Sequence, residues 1–376
     1  MVQKTYFNNL DSLRTIACLF VLSEHVFWKA FTFLDIDSPI TFHFLYVLFG
    51  NGKLGVSVFF TLSGFLITYL ILKEIETKGR IDIKSFYIRR SLRIWPLYFV
   101  LLIFVFFIYP LIQYLMHIDL VNPANKIYYF TFLSNFDVIN LSARGIESFL
   151  QSSITWSIGI EEQFYLLWPL LFLIVPRKKF IYIFLAVILV SIIFRYCHHT
   201  EKVVLYFHTL GVCSDLAIGG LAAYLIIASQ KFRDFFVNMT TKWRVSIYSL
   251  GFLYLLLADY SLNFEYATVF KQSISACFYA FIILQQCFDE KSPFKLGSIK
   301  IFSNWGKYTY GLYLLHPIGV LIYEIMRSHY NFNDEAFLPG IMKGFAVLIV
   351  TCIISFLSYK IIEQPFLKLK NKFSSI

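Results

Sequence analysis

Long apolar segments recur along the whole chain, and they restrict its fold more than any other feature of the sequence. A helix of about 20 residues crosses the roughly 30 Å hydrocarbon core of a bilayer. Hydrophobic residues fill 58% of the 376 positions and charged residues only 15%, which excludes an ordinary soluble domain. The pattern therefore predicts an all-α integral membrane protein, a single domain over residues 1–376. Ten spans are predicted, at 10–33, 54–72, 95–116, 155–175, 180–197, 210–228, 243–260, 269–288, 308–326 and 340–361.

The distribution of lysine and arginine predicts the orientation of these spans. With the N-terminus inside, and with charged residues near span ends counted in the adjoining segments, 23 of the 33 Lys and Arg residues fall in inner segments and nine in outer segments, and Arg14 is counted in neither. Positive residues accumulate on the cytoplasmic side, so both termini are expected there, including a short tail at about 367–376. The same bias explains the net charge of +10 by contact with membrane lipid. No nucleic-acid partner is expected.

Arg14 and His25 are polar residues within the first apolar stretch, LDSLRTIACLFVLSEH, at 10–25. They are eleven residues apart, which places them on one helix face about 16 Å apart along the axis. An imidazole can accept a proton near neutral pH, so His25 is a candidate catalytic base. Two simpler interpretations stay open: Arg14 as an anchor that reaches the membrane surface, and His25 as a hydrogen-bonded packing residue. Glu24 points about 100° away from His25.

Two adjacent acids stand near the outer end of the fourth span, in TWSIGIEEQFYLLWP at 155–169. Glu161 is expected at about the depth of His25, where its carboxylate could orient the imidazole. Glu162 points elsewhere around the helix, and the sequence does not decide which of the two faces the site. Acidic residues are also favoured in a first helical turn, so a structural role stays open.

A pair of arginines, Arg90 and Arg93, lies in FYIRRSLRIWPLY before the third span. Residues three apart on a helix can face the same way, and guanidinium groups match phosphates well. The simpler alternative is positive charge at the cytoplasmic surface. Small residues in GVSVFFTLSGFLIT, at 55–68, are typical of close helix packing.

Four further residues are candidates to line a site, two of them from the stretch WGKYTYGLYLLHPIGV at 305–320. Asp215 and Glu363 are predicted to be structural. The scattered cysteines show no metal-ligand spacing, so no metal site is expected. The four candidates are Ser63, Tyr165, Tyr310 and His316.

Six sequence blocks resemble, in the same order, the landmarks of the acyltransferase-3 family of membrane O-acyltransferases. The blocks are LDSLRTIACLFVLSEH, GVSVFFTLSGFLIT, RRSLRIWPLY, TWSIGIEEQFYLLWP, YTYGLYLLHP and IIEQPF, which extend from Leu10 to Phe366. The resemblance implies transfer of an acyl group, usually acetyl, from cytoplasmic acyl-CoA. The acceptor would be a hydroxyl of a cell-surface or lipid-linked carbohydrate, and the enzyme would lie in the inner (plasma) membrane.

Residue by residue, the resemblance implies that His25 is the catalytic histidine and Arg14 its partner in the Arg-x10-His motif. Arg90 and Arg93 would be the Arg-x-x-Arg pair that helps bind the donor, and Glu161 the site acid. Some family members continue into an esterase-like domain after an extra span. Since this chain stops after the tenth span, a stand-alone enzyme, a homo-oligomer or a separate periplasmic partner is expected.

One block departs from the family pattern, and one other function class fits the residues. The stretch HTLGVCSDLAIGG, at 208–220, lacks an arginine that many family members have, so no acceptor-binding role is transferred to it. The alternative function is a multi-span transporter or flippase of a glycolipid or polysaccharide precursor. Arg14, His25 and Glu161 would then form a proton or substrate path, although the sequence shows no inverted repeat of the transporter type.

Overall fold

The computed structural model describes residues 7–115, 117, 122–261, 266–289, 291–330 and 334–373, without the side chains of 259–261 and 371. The chain is 85% helical and has no strand in this described part, which confirms the predicted all-α class. Ten long helices are α1 (Asn8–Val26), α2 (Gly52–Lys78), α3 (Ile83–Leu115), α4 (Trp156–Ile174), α5 (Phe180–Cys197), α6 (Thr209–Ala228), α7 (Thr241–Ser261), α8 (Ala267–Phe288), α9 (Thr309–Tyr330) and α10 (Phe337–Lys370).

Seven helices of the described part are long and apolar enough to cross a membrane, namely α2, α3, α4, α5, α6, α8 and α10. The chain is therefore a multi-pass membrane protein. Helices α1, α7 and α9 coincide with the other three predicted spans, and α1 carries Asp11, Arg14 and Glu24 within 19 residues. The count of ten spans and the cytoplasmic position of the termini stay predictions. Residues 374–376 of the expected tail lie outside the described residues.

Helices α2 and α6 form the centre of the bundle. In their most apolar stretches 67% of α2 and 72% of α6 is buried, against 22% of α10. The two helices touch through glycines: a methyl group at Gly64 would overlap the carbonyl of Leu216, and one at Gly219 would overlap the carbonyl of Thr61. The prediction that small residues of the second span allow close packing is thus confirmed at Gly64.

A tight turn between α2 and α3 fixes the start of the arginine-bearing helix. Helix α2 ends at Lys78, and Gly79 follows with φ of +76°, a conformation that glycine adopts without strain. The side chain of Asp82 accepts a hydrogen bond of 3.0 Å from the backbone N–H of Ser85 and caps α3. Hydrogen bonds from Ser85 hold the pKa of Asp82 below its ordinary value. Arg90 and Arg93 therefore fall within the first three turns of α3.

Shorter helices connect the long ones. Between α3 and α4, the helices Lys126–Phe130 and Ser134–Ala143 and the residues that join them are tied to these two long helices by hydrogen bonds. The Tyr98 hydroxyl donates to the Tyr129 carbonyl at 2.8 Å, and the Gln163 amide donates to the Phe132 carbonyl at 2.8 Å. The remaining short helices include Trp28–Phe31, Pro39–Gly50, Leu150–Ser153, Lys202–Phe207, Gln230–Val237 and Lys300–Trp305.

A buried polar cluster joins α2 to α6 and α8, and we call it the closed cluster. It consists of Ser57, Asp215, Gln272 and Arg195. The Asp215 carboxylate is fully buried and accepts hydrogen bonds from the Ser57 hydroxyl at 2.5 Å and the Gln272 amide at 2.6 Å. The Arg195 guanidinium donates to the carbonyls of Thr268 and Gly211 at 2.6 Å and 2.9 Å. Every member thus bonds within the protein.

Candidate functional site

A cavity lies between α1, α2, α3, α4 and α9. Its volume is about 130 Å³, whereas a cavity that holds one buried water needs only about 10–15 Å³. Residues at helical spacing line it, so each helix contributes one face. The lining consists of Arg14, Val56, Phe59, Phe60, Leu62, Ser63, Leu66, Arg90, Arg93, Ile94, Ser157, Ile158, Glu161, Tyr165, Thr309, Tyr310 and Tyr313.

The two predicted arginines of α3 enter this cavity together. They lie one turn apart on the same face, Arg90 half-buried and Arg93 exposed. The Arg90 guanidinium lies 5.7 Å from the ring centre of Tyr165 and 5.8 Å from that of Phe86. Such cation–π contacts hold a guanidinium in place without neutralising its charge. Arg90 is therefore positioned, and its charge remains available to an anion.

Arg14 brings a third guanidinium to the cavity from α1. It makes an ion pair with Asp11, one turn earlier on the same helix. Only 16% of the Arg14 side chain is exposed, so this arginine is held inside the bundle. The structure thus brings together Arg14, Arg90 and Arg93, which come from two helices far apart in the sequence.

Glu161, Tyr165 and Ser63 form a continuous hydrogen-bonded network in the wall of the cavity. The Tyr165 hydroxyl donates to the Glu161 carboxylate at 3.0 Å, and the two residues are four apart on α4. The Ser63 hydroxyl, from α2, bonds to the Tyr165 hydroxyl. The charges of Arg93 and Arg90 act on the Glu161 carboxylate. One acid and two hydroxyl groups are therefore linked beside two cations.

Glu162 faces away from this network. One oxygen of its carboxylate accepts a hydrogen bond of 3.0 Å from the indole N–H of Trp95 on α3. Glu162 is not among the residues that line the cavity, whereas Glu161 is. Of the two adjacent acids, Glu161 is therefore the one that lines the cavity.

His25 stacks on His316 and makes no hydrogen bond with Glu161 among the described residues, so the pairing of His25 with Glu161 stays a prediction. The rings of His25 and His316 stack with centres 5.1 Å apart and planes inclined by 23°. Glu161 has a nearer partner, because Tyr165 lies one turn away on the same face of α4. Neither histidine belongs to the cavity lining.

His316 is held more firmly than His25. It is fully buried, and its Nδ1 lies 2.7 Å from the carbonyl oxygen of Tyr313. A carbonyl only accepts, so Nδ1 carries the proton and Nε2 presents a lone pair. That Nε2 atom is buried without a hydrogen-bond partner in the described part of the chain. His25 is exposed beyond the face that stacks on His316.

Three residues outside the predicted set belong to the site or touch it. The Tyr313 and Ser157 hydroxyls bond at 2.6 Å in the cavity wall, and Tyr313 also lies 6.2 Å from His316 between ring centres. Its position three residues before His316 was the available sequence signal. Glu363 is buried at a π-helical turn, Tyr359–Glu363, and the charge of Arg93 acts on its carboxylate. Nothing in the sequence pattern indicated that contact.

Tyr310 also reaches the site, where its hydroxyl donates to the carbonyl of Ile94 at 2.8 Å. This bond ties α9 to α3 beside the two arginines. The cavity thus combines an anion-binding wall with a hydrogen-bonded acid and hydroxyl network. Chemically, such a site can hold a phosphate-bearing molecule and move a proton away from a hydroxyl group.

Comparison with known proteins agrees with the family resemblance of the six sequence blocks. The model of the acyltransferase-3 family, described as an acyltransferase domain, matches residues 7–360. A protein of Staphylococcus aureus strain COL, named as a predicted O-acetyltransferase, is 30% identical over 388 residues. A predicted peptidoglycan O-acetyltransferase of Bacillus subtilis strain 168 is 26% identical over 382 residues. A peptidoglycan O-acetyltransferase of Listeria monocytogenes is 26% identical over 354 residues.

These alignments cover nearly the whole of this chain but little more than half of each relative. They include 96%, 96% and 89% of the chain, and 58%, 55% and 54% of the three relatives in the same order. The chain therefore spans less than two thirds of the length of the curated relatives that it matches. No solved structure matches the chain.

Proposed function

The chain belongs to the acyltransferase-3 family, and from that premise we propose that it is a membrane O-acyltransferase. One observation carries the proposal: a single cavity unites three arginines with a hydrogen-bonded acid and hydroxyl network. Acyl transfer from a phosphate-bearing thioester needs both parts. The arginines would hold the donor, and the network would manage protons at the reacting carbonyl.

The proposed donor is acyl-CoA, with acetyl-CoA preferred. Coenzyme A carries several phosphates, and guanidinium groups form short, charge-assisted hydrogen bonds with phosphate oxygens. Arg14, Arg90 and Arg93 are the proposed donor-binding residues. On the topology predicted from the lysines and arginines, they lie toward the cytoplasm, where coenzyme A thioesters occur. Ser63, Tyr165 and Tyr310 would surround the acyl end of the donor, and no metal is invoked.

The proposed acceptor is a hydroxyl of a cell-surface or lipid-linked carbohydrate. Two relatives are named for acetylating peptidoglycan, which supports a carbohydrate acceptor for this chain as well. His25 is the proposed catalytic residue on the acceptor side of the bundle, the side of the membrane away from the arginines. His316, stacked against it, limits the orientations that the His25 ring can take. Glu161 stays a proposed catalytic residue inside the cavity, in contact with Tyr165.

We place the enzyme in the plasma membrane with both termini in the cytoplasm. This orientation puts donor binding and acceptor binding on opposite sides of one helix bundle. The acyl group, and not coenzyme A, would then pass between them.

The test compares O-acetylation of surface glycan in cells that express wild type or His25→Ala at equal protein levels. We expect the substitution to reduce acetylation at least about 100-fold, the usual contribution of a positioned base. The matched control is His329→Ala, because His329 is an exposed histidine near the end of α9 and outside the site. Equal acetylation by wild type and His25→Ala would remove His25 from the mechanism.

A further inference from the structure

The direction of the hydrogen bonds in the cavity network singles out Ser63. A phenol has one proton, and the Tyr165 hydroxyl donates it to the Glu161 carboxylate at 3.0 Å. The Tyr165 oxygen can then only accept from Ser63, so the Ser63 hydroxyl must be the donor in their contact. Each proton in this chain points from Ser63 toward Glu161. The Ser63 hydroxyl, the Tyr165 hydroxyl that can relay its proton and the Glu161 carboxylate that can accept it thus follow one another along one hydrogen-bonded chain.

We propose that Ser63 is a nucleophile that carries the acyl group as a covalent ester between donor and acceptor. This inference rests on the proposed acyltransferase function and adds an intermediate to it. Ser63 is partly exposed, and its hydroxyl lines the cavity that the donor would enter. The serine is therefore both reachable and connected to a proton acceptor.

In the first step, the Ser63 oxygen attacks the thioester carbonyl. A bond forms between this oxygen and the acyl carbon, and the carbon–sulfur bond breaks. The Ser63 proton passes through the Tyr165 hydroxyl to Glu161 and then to the leaving sulfur, so coenzyme A departs as a thiol. The guanidinium of Arg90, held over the Tyr165 ring, favours negative charge on the phenol oxygen and on the carbonyl oxygen.

In the second step, the acceptor hydroxyl attacks the ester carbonyl on Ser63. The new ester bond forms, the bond to Ser63 breaks, and the acceptor proton passes to the Glu161 carboxylate, which lines the same cavity. Glu161 returns this proton through the Tyr165 hydroxyl to the Ser63 oxygen, so the serine and the relay regain their starting state. The net reaction is transfer of one acyl group from sulfur to the acceptor oxygen, with one proton returned to sulfur.

Other serines near the cavity lack one of the required features. Ser57, on the same helix, donates to the buried Asp215 and is not part of the lining. Ser157 lines the cavity, but its partner is Tyr313, and no carboxylate hydrogen bond continues that pair among the described contacts. Close packing of Gly64 on Leu216 also fixes the backbone beside Ser63.

The first experiment needs no acceptor. The purified full chain is incubated with acetyl-CoA and isotopically labelled coenzyme A, and label entering acetyl-CoA is measured. An acyl-enzyme makes this exchange possible, whereas direct transfer does not. We expect exchange by wild type, a loss of at least about 100-fold in Ser63→Ala, and a change below about twofold in Ser191→Ala. Ser191 is a buried serine on α5 outside the cavity.

The second experiment locates the acyl group. After incubation with acetyl-CoA the protein is denatured and digested, and the mass of one acetyl group is sought on the peptide that contains Ser63. Ser63→Cys keeps a nucleophile at this position and should carry the acetyl group as a thioester that neutral hydroxylamine releases. If Ser63→Ala fails to fold, Ser63→Cys still tests the proposal.

The relay has its own test. Tyr165→Phe should slow exchange at least about 100-fold and leave the KM for acetyl-CoA within about threefold, since the ring under Arg90 is retained. Tyr224→Phe is the matched control, a half-buried tyrosine on α6 outside the cavity. A raised KM with unchanged maximal exchange would assign Tyr165 to binding and overturn the relay.

The outcomes separate this inference from the proposed function. Glycan acetylation without exchange or a Ser63 adduct would overturn the inference and leave the acyltransferase function standing. An adduct on another residue, or exchange by Ser63→Ala at the wild-type rate, would also overturn it. If the chain neither consumes acetyl-CoA nor acetylates glycan, both proposals fall together.

Discussion

Helix α2 carries two serines, Ser57 and Ser63, that enter polar clusters of opposite character. The closed cluster around Ser57 satisfies its polar groups within the protein, since Asp215 is fully buried and accepts from Ser57 and Gln272. The cluster around Ser63 borders a cavity that Arg90 and Arg93 also line, and the charges of both arginines act on the Glu161 carboxylate. Intramembrane polar residues are costly in either place. The closed cluster therefore joins helices to one another, whereas the hydrogen-bonding groups around Ser63 border a cavity.

The largest expected effect concerns the stability of the closed cluster. Asp215→Ala leaves the Ser57 hydroxyl and the Gln272 amide without their acceptor and removes the carboxylate near Arg195. We expect the free energy of unfolding to fall by about 3–5 kcal/mol, measured by thermal or denaturant unfolding of the purified protein. Asp234→Ala, at an exposed position on Gln230–Val237, should change it by less than about 0.5 kcal/mol. Equal stability of these two variants would show that the closed cluster contributes no more to stability than an exposed side chain does.

The next effect concerns donor binding and should leave stability almost untouched. Arg90→Ala removes a guanidinium from the cavity, and hydrogen bonds to charged groups contribute about 1.5–3 kcal/mol. The KM for acetyl-CoA should therefore rise roughly 10- to 100-fold, with the unfolding temperature close to that of wild type. Arg80→Ala removes an exposed arginine from the turn that precedes α3, outside the cavity, and should leave the KM unchanged. A large fall in stability in Arg90→Ala would make that arginine structural.

Identical substitutions at the two serines give the sharpest comparison. Ser57→Ala removes a donor to a buried carboxylate and should lower the free energy of unfolding by about 1–3 kcal/mol. Its acetyl transfer per folded molecule should stay within about twofold of wild type. Ser63→Ala should show the reverse, with a stability change below about 0.5 kcal/mol and lost transfer. If both variants lost the same property, the two clusters would have one common role.

The smallest effect comes from a third polar cluster, near the end of α9. Asp334 lies 3.0 Å from the Lys343 ammonium and 3.5 Å from the Arg327 guanidinium. Burial opposes ionisation, but the hydrogen bond and charge of Lys343 outweigh it and hold the pKa of Asp334 below its ordinary value. Its contribution to stability is therefore present at neutral pH and lost as the pH falls through that lowered pKa.

Asp334→Asn should accordingly cost less than about 1 kcal/mol at neutral pH, and the difference from wild type should vanish in acid. Unfolding measured across a pH series checks both statements. Acetyl transfer should not change, because Asp334 is remote from the cavity lining. A difference that persisted or grew in acid would contradict the sign of the shift.

The helices could be predicted from the sequence because apolar segments of about 20 residues leave the backbone no other way to satisfy its hydrogen bonds in lipid. Spacing also predicted which residues share a face, as Arg90 with Arg93. The rotation of a helix against its neighbours was not predictable in this way. Glu161 and His25 were assigned similar depths, yet the Glu161 carboxylate contacts Tyr165 on its own helix. The stacking of His25 on His316 joins α1 to α9, and nothing in local spacing pairs those helices.

The stacked histidines have a consequence for proton conduction. A chain of hydrogen-bonded titratable groups running across a membrane would let protons leak, and one charge crossing 100 mV releases about 2.3 kcal/mol. Here the two imidazoles meet face to face, and the Nε2 of His316 has no hydrogen-bond partner among the described residues. This stacked contact therefore provides no hydrogen bond along which a proton could pass from one imidazole to the other. Vesicles that contain the protein should thus hold a pH gradient as long as empty vesicles do.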